Sequence, residues 1–299
     1  MSLVVFLFIH IIPGDAADAI LGMDNTPENR AALRAELGLD KNIFVQYMIW
    51  IGKLFTGDLG KSVITHKPVL DTIIDKAGAT IILTIAAMFI ATFISIMAGC
   101  LAAINKGTWK DFGILFMSLV GVSIPSFWLG ILLMLAFSLH WPIFPAIGYA
   151  SIFEDFGSAI RHLILPAVTL GTVTTGAVAR MARSEMIEQL SRDYVITAWA
   201  KGLSPRGVYF KHALRNSLIT VVTFIGLQFA WMLGGVVIVE IIFTWPGLGT
   251  LVMESILRRD YPMVQGVILF ISLTYVLINL LVDVSYTYLD PQIRLGRKG

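Results

Sequence analysis

The chain has 299 residues, of which 57% are hydrophobic and 14% charged, whereas soluble domains have about 45–50% and about 25%. This composition indicates an integral membrane protein with several spans. The net charge of +2 is too small to indicate a nucleic-acid partner. In addition, no block of basic residues lies outside the loops. The single cysteine, Cys100, lies in an apolar run, so neither a disulfide framework nor a thiolate metal site is expected.

The N-terminal quarter of the chain begins with an apolar run, residues 1–12, which is shorter than the roughly 20 residues that a spanning helix needs. We interpret it as a short first span rather than a signal peptide, because no Lys or Arg precedes it and no small-residue cleavage site follows it cleanly. In the mixed stretch 13–77, Thr26 is expected to cap a helix that begins at Pro27 and ends at Gly38. We interpret 13–77 as an external segment rather than a detached soluble domain, because its apolar runs are too sparse for a core.

Five further windows contain no charged residue and are long enough to cross a membrane. Together with the short first run they predict six spans; the windows are 79–104, 112–137, 163–179, 217–239 and 264–282. Pro125 removes a backbone hydrogen bond from the second window and predicts a kink, which can serve gating or packing. Gly171 and Gly176 in the third window predict close packing between helices rather than a polar pathway.

Basic residues in the loops give the orientation of these spans. The loops on one side, together with the C-terminal tail, hold twelve Lys and Arg residues, whereas the opposite short loops hold three. The positive-inside rule places the richer side in the cytoplasm. We therefore expect a single transmembrane domain, 1–299, with segment 180–217 and both termini inside and segment 13–77 outside.

The central polar segment, 180–217, contains the signals for two short helices. Asp193 is expected to cap a helix over 194–201, and Gly202 is expected to end that helix in a left-handed conformation. Ser204 is expected to cap a second helix whose first residue is Pro205. A helix of eight residues is marginal alone in water, so it needs a partner surface.

The side chains of the first short helix suit docking to another protein. Small residues would let a groove approach the backbone closely, and apolar residues would anchor the helix there. The small residues are Ala198, Ala200 and Gly202, and the apolar anchors are Tyr194, Val195 and Trp199. An ordinary cytoplasmic loop is the less favoured interpretation.

The same segment resembles a known family. Thr197, Ala198 and Gly202, followed by HALRN at 212–216, resemble the EAA loop of ABC importer permeases of the dipeptide, oligopeptide and nickel branch. Trp199 departs from that branch, which usually has Arg there. The resemblance extends to further stretches, namely 57–74, 234–249, 259–267 and 289–294. Members of the branch have a longer, Arg-led first span, so we expect a truncated or misplaced start.

The resemblance implies an all-α, six-helix ABC importer permease fold with a cytoplasmic coupling-helix loop, in a bacterial-type cytoplasmic (inner) membrane. It implies half of a translocation pathway, completed by a second homologous permease, two cytoplasmic ATPases and an external solute-binding protein. The ATPases would bind ATP and Mg, so no cofactor is expected in this chain. The residues expected to couple to the ATPases are Asp193, Tyr194, Thr197, Ala198, Gly202 and Leu203.

The expected substrate is a dipeptide or an oligopeptide. Nickel complexes and glutathione-type peptides are alternatives, because in such systems the soluble binding protein determines most of the substrate specificity. No substrate-contacting residue is predicted in this chain.

Two intramembrane carboxylates, Glu240 and Asp283, keep a second hypothesis open. Such groups are costly in a bilayer and indicate function by default, so a proton-coupled secondary carrier is an alternative. A structural hydrogen bond or ion pair is at least as good an interpretation, because both lie near the ends of their windows. A third hypothesis, an intramembrane enzyme, has little support, since the five histidines show no metal-ligand spacing and no GxSxG or P-loop is present. We therefore expect no catalytic site and no metal site.

Overall fold

The structure, a computed structural model, describes residues 2–11, 26–36 and 40–289. The described chain is helical, and its one extended pairing is an isolated bridge between Lys61 and Pro68. The α-helices in chain order are α1 (Ser2–Ile11), α2 (Pro27–Glu36), α3 (Ile43–Phe55), α4 (Val69–Ile104), α5 (Trp109–Ser123), α6 (Ser126–Met134), α7 (Phe156–Leu190), α8 (Asp193–Ala200), α9 (Arg215–Phe243), α10 (Leu248–Leu257) and α11 (Tyr261–Leu289). Two π-helical segments, π1 (Leu135–His140) and π2 (Gly207–Leu214), follow α6 and precede α9.

The described part of the chain contains three helices that are long and apolar enough to cross a membrane. They are α4, α7 and the stretch Tyr261–Val282 of α11, and two bent helix pairs raise the number to five if each pair is one span. Four of the five predicted windows lie within single helices, and the window 112–137 lies within one of the bent pairs. The helices extend beyond the windows because polar residues at the membrane surfaces continue the helical backbone. The sixth span, at α1, stays a prediction.

The predicted kink at Pro125 is confirmed and is a complete break. Helix α5 ends at Ser123, helix α6 begins at Ser126, and the two helices are bent by 103°. Ile124 is extended, with φ −76° and ψ 126°, because a residue that precedes proline avoids the α region. Whether this break serves gating or packing stays open to experiment.

The chain divides into two compact units, residues 1–80 with 246–274, and residues 81–245 with 275–299. In the larger unit, α7 packs against α4 and α5 at two glycines. A Cβ on Gly171 would lie 2.9 Å from the carbonyl oxygen of Ala87, and one on Gly176 would lie 2.4 Å from that of Ser118. The predicted packing role of both glycines is therefore confirmed.

The threonine hydroxyls of α7 are also used structurally. They donate to the carbonyl oxygens four residues earlier, with O···O distances of 2.8 Å for Thr169, 2.7 Å for Thr172 and 2.9 Å for Thr175. These internal bonds satisfy the hydroxyls within the helix. They agree with the packing interpretation rather than with a polar pathway.

The smaller unit has its own apolar core, built from the start of α4, from α10 and from α11. Val69, Ile73, Leu248, Met263 and Val267 are its buried members. Thr26, as predicted, caps α2, since its hydroxyl accepts the Asn29 N–H at 3.3 Å. The predicted helix end at Gly38 lies outside the described residues.

A carboxylate ties the segment before α4 to the turn before α11 within this unit. Asp260 is buried, and its Oδ2 accepts the Ser62 hydroxyl at 2.5 Å. Its Oδ1 accepts the backbone N–H groups of Val63 at 3.2 Å and Met263 at 3.4 Å. Residues of the stretches 57–74 and 259–267, both of which carry the family resemblance, thus meet through one buried group.

Candidate coupling surface

Helix α8 begins one residue earlier than predicted, and the predicted cap is wrong. Arg192 is the N-cap residue and makes no side-chain capping bond, whereas Asp193 is the first residue of the helix. The backbone explains the shift, because the Arg192 carbonyl accepts the N–H groups of Val195 at 2.9 Å and Ile196 at 3.2 Å. The Asp193 carboxylate therefore lies in the first turn, where the helix dipole favours negative charge.

Gly202 ends α8 in the left-handed conformation that the sequence predicts. Its φ is +73°, and its N–H donates to the Trp199 carbonyl at 2.9 Å. The N–H of Leu203 donates to the Ala198 carbonyl at 3.3 Å, so the two bonds form a Schellman motif. No other residue lies within 4 Å of a Cβ built on Gly202, so the backbone conformation alone requires glycine here.

The second short helix begins as predicted at Ser204 and Pro205. The Gly207 N–H lies 3.4 Å from the Ser204 hydroxyl, and the Val208 N–H donates to the Ser204 carbonyl at 3.1 Å. The helix does not stop, however, but continues through π2 into α9. Residues 208–217 contain neither Pro nor Gly, so nothing in this stretch interrupts the helix before the span.

One face of α8 packs against its own chain. Val195 and Ala198, at 0% and 4% exposure, form a small core with Val208 of π2 and the partly buried Leu190 of α7. A contact of either residue with another protein stays a prediction. Their role is to fix the rotation of α8 about its axis.

That rotation leaves the rest of the circumference of α8, and the residue after the helix end at Gly202, exposed. Its large apolar side chains are Tyr194, Ile196, Trp199 and Leu203, at 37%, 57%, 40% and 42% exposure, and we call these four residues the coupling surface. Ile196 was not among the predicted coupling residues, and its exposure could not be read from a helix that is apolar on both faces. Thr197 is also exposed, and its hydroxyl donates to the Asp193 carbonyl at 2.9 Å.

Two aromatic side chains of the coupling surface are held in place. The Tyr194 hydroxyl donates to Gln189 Oε1 at 2.8 Å. Trp199 stacks edge to face on Tyr209, with ring centroids 5.8 Å apart. These contacts restrict the rotamers before any partner binds, which lowers the entropic cost of binding.

The segment after α8 is rooted in the helical bundle. Ala213 of π2 packs in a buried cluster with Cys100 and Ala103 of α4 and Met186 of α7. The Ser217 hydroxyl donates to the Leu214 carbonyl at 2.9 Å. The segment after α8 is therefore in direct packing contact with α4 and α7.

An ion pair that the sequence analysis missed joins the start of α5 to the C-terminal part of α7. Arg183 Nε lies 2.6 Å from Asp111 Oδ1, and its second nitrogen lies 2.7 Å from Oδ2. The Gly107 N–H also donates to Asp111 at 3.0 Å. The Asp111 side chain is 2% exposed and that of Arg183 is 20% exposed, so this pair is shielded from solvent on the acidic side. The sequence does contain a weak indication of this pair. Asp111 directly precedes the 112–137 window and lies on the same predicted membrane side as Arg183.

Of the two carboxylates that the sequence analysis singles out, the structure describes the side chain of Glu240 but not that of Asp283. Glu240 is fully buried near the end of α9, and its backbone carbonyl accepts the Trp245 N–H at 2.8 Å. Asp283 belongs to α11, but its side chain lies outside the described residues.

Comparison with known proteins connects this architecture to a class of transporters. A chain from a crystal structure of an amino acid ABC transporter with histidines superposes with a TM-score of 0.55 at 14% identity, covering 73% of this chain and 94% of that chain. The helical fold is therefore that of a membrane chain of an ABC transporter. The family model "Binding-protein-dependent transport system inner membrane component" matches residues 95–295, and the model of its N-terminal part matches residues 1–84. The chain belongs to this family.

The curated relatives are peptide permeases. The dipeptide transport system permease proteins DppB of Alkalihalophilus pseudofirmus and Escherichia coli K12 are 41% and 40% identical, each match covering 98% of this chain and 94% of the relative. A putative peptide transport system permease protein of Brucella abortus is 42% identical with the same coverage. The predicted family, the all-α permease fold and the inner-membrane localisation are confirmed, and the importer is favoured over the carrier and the enzyme.

Proposed function

We propose that this chain is a permease subunit of an ATP-driven importer of short peptides. It forms half of the translocation pathway, with a second homologous permease, two cytoplasmic ATPases and an external solute-binding protein. The observation that carries the proposal is the coupling surface, an exposed apolar strip on a short helix whose other face is locked to the bundle by Val195 and Ala198. ATP and Mg are bound by the ATPases, and the chemistry of hydrolysis takes place there.

In the proposed cycle, ATP binding closes the ATPase pair and moves the groove that holds α8. Because α8 is packed on Leu190 and Val208, and π2 is packed on α4 and α7, the bundle must follow. The spans then change between inward-open and outward-open states. The coupling residues in this account are Tyr194, Ile196, Thr197, Trp199 and Leu203, with Gly202 setting the turn.

A cross-linking experiment tests the coupling surface directly. In a background with Cys100→Ala, a cysteine at exposed Ile196 should cross-link to the ATPase subunit with a short bifunctional reagent. A cysteine at the neighbouring buried Val195 is the matched control and should not react. Equal cross-linking from both positions, or none from Ile196, would show that this face of α8 is not the ATPase contact.

The substrate class is tested by uptake. Proteoliposomes that contain both permeases and both ATPases, supplied with the cognate binding protein, should take up labelled dipeptides or oligopeptides only when ATP is inside. Nickel complexes and glutathione are the competing cargoes. ATP-dependent uptake of one of these in preference to peptides would replace the peptide assignment while leaving the importer assignment intact.

The turn at Gly202 gives a prediction about coupling. Gly202→Val should cost about 1–3 kcal/mol of backbone strain, because a β-branched residue rarely adopts positive φ. The strain should displace α8 while the bundle still folds, so stimulation of ATP hydrolysis by the loaded binding protein should fall severalfold. Gly202→Asn is the matched control, since Asn tolerates the left-handed conformation. Full stimulation in the valine variant, with normal membrane insertion of both, would contradict a coupling role for this turn.

A further inference from the structure

Helix α3 is a short, largely apolar helix whose amide and ammonium side chains, Gln46 and Lys53, are seven residues apart and therefore lie on one edge. It runs over Ile43–Phe55, its N-terminus is capped by Asn42, which accepts the Phe44 N–H at 2.9 Å, and its single charged residue is Lys53. None of its residues is buried. Because large apolar side chains are normally kept out of water, the exposed apolar residues of α3 need a covering surface.

One side of α3 is accounted for by α1. The rings of Tyr47 and Trp50 lie 5.3 Å and 5.7 Å from the ring of Phe6, measured between centroids. The Tyr47 hydroxyl also lies 2.9 Å from the Ser2 hydroxyl oxygen. This side therefore attaches α3 to a helix that contains no charged residue, SLVVFLFIHI.

The other side of α3 carries large apolar residues that no described element covers. Phe44 and Phe55 are 65% and 87% exposed, and Val45, Met48 and Ile49 are each more than two-fifths exposed. On α1, the exposed apolar residues Leu3 and Val4 add to the same kind of surface. Contiguous exposed apolar area of this sort indicates contact with a membrane or another protein.

The chemistry of this face favours lipid over protein. Protein interfaces contain about one hydrogen bond per 100–200 Å², yet Phe44, Val45, Met48, Ile49 and Phe55 offer no hydrogen-bonding side-chain group. With 13 residues, α3 is about 20 Å long, which is too short to cross a hydrocarbon core of about 30 Å. The Lys53 stem can lie along apolar surface while its ammonium group stays in water. These are the properties of a helix that lies in a membrane interface.

We propose that α3 lies in the interfacial region of the outer leaflet, with Phe44, Met48 and Phe55 among the phospholipid acyl chains. Together with α1 it anchors the external segment to the bilayer surface. The proposal rests on the expectation that segment 13–77 is external. Because Ser2 contacts Tyr47, it also places the described start of α1 on the outer side, in place of the inside position expected for the N-terminus.

Fluorescence quenching in the reconstituted complex tests this placement. In the Cys100→Ala background, Met48→Cys and, as matched control, Thr56→Cys at the exposed C-terminal cap are labelled with an environment-sensitive fluorophore. The vesicles contain phosphatidylethanolamine, phosphatidylglycerol and nitroxide-labelled phosphatidylcholine. The label at 48 should be quenched severalfold more by the lipid nitroxide than the label at 56, and severalfold less by aqueous iodide.

Two outcomes would overturn the proposal. Strong iodide quenching at 48 would place this face in water. Protection at 48 from both iodide and lipid nitroxide would show that protein covers this face. If that protection appears only after the binding protein is added, the covering protein is the binding protein. Lipid quenching at 48 that the binding protein does not change supports the proposal.

A separate accessibility measurement distinguishes an error in the proposed orientation from an error in the proposed interfacial position of α3. An impermeant maleimide added outside should react with Thr56→Cys. Reaction only from the inside would overturn the proposed orientation and the outer-leaflet assignment, whereas reaction from the outside without lipid quenching at 48 would overturn the interfacial placement alone.

Discussion

Replacing Gly176 with alanine is expected to destabilise the helical bundle by about 1–3 kcal/mol, the range for inserting a methyl group into a packed core. The new Cβ would lie 2.4 Å from the Ser118 carbonyl oxygen and 2.8 Å from Val122 Cγ2. A rotamer change can relieve the contact with Val122, but the contact with Ser118 involves backbone. Helices α5 and α7 must therefore move apart, and their shared packing is lost.

Thermal unfolding of the purified complex in detergent measures this effect, and Gly234→Ala provides the control. Gly234 is also a helical glycine, but nothing lies within 4 Å of a Cβ built there. Alanine should be neutral or stabilising at this position, because its helix propensity exceeds that of glycine by about 1 kcal/mol. An equal loss of stability in both variants would show that the close approach at Gly176 is not what holds α5 to α7.

Features that depend on neighbouring residues could be predicted from the sequence. The positive φ at Gly202, the start of a helix at Ser204 and the break at Pro125 each follow from the conformational limits of one or two residues. The five long windows are likewise visible as uncharged runs. Their agreement with the helices reflects the strength of the membrane constraint on composition.

Features that depend on distant residues could not be predicted. Helix α8 is apolar on both faces, so its pattern could not indicate that Val195 and Ala198 are buried. Their burial depends on Val208, which lies in π2 and packs against them. Asp111 and Arg183 are 72 positions apart, and no local spacing relates them. The six residues of the expected coupling set do not include Ile196, because the pattern of α8 could not show that its side chain is exposed.

The ion pair between Asp111 and Arg183 should contribute strongly to the stability of the bundle. Asp111→Asn leaves the Arg183 guanidinium, only 20% exposed, without its charge partner. Breaking a buried pair in this way costs about 3–5 kcal/mol, and partial exposure of Arg183 places the expected cost near the lower end of that range. Chemical or thermal unfolding of the complex measures it.

Two variants separate the ion pair from general effects of charge removal. The double variant Asp111→Leu with Arg183→Met removes both charges, and it should recover most of the stability, because apolar replacements of a buried pair are often neutral. Glu188→Gln breaks the exposed pair between Glu188, in the last turn of α7, and Arg192, the N-cap residue of α8. This change should cost less than about 0.5 kcal/mol. A loss of about 3 kcal/mol of stability in this control would show that the destabilisation by Asp111→Asn comes from the changed net charge and not from the broken pair.

The recovered stability of the double variant allows the role of the pair in coupling to be measured. Arg183 lies about two turns before the end of α7, the helix that leads directly into α8. We hypothesise that the bidentate pair makes α5 and α7 move together when the coupling surface is displaced, because two parallel hydrogen bonds fix orientation as well as distance. Leucine and methionine would keep contact but not that orientation. In proteoliposomes, the double variant should therefore fold and insert normally while stimulation of ATP hydrolysis by the loaded binding protein falls severalfold. Stimulation and uptake equal to those of the unmodified chain would show that the pair stabilises the bundle without transmitting motion.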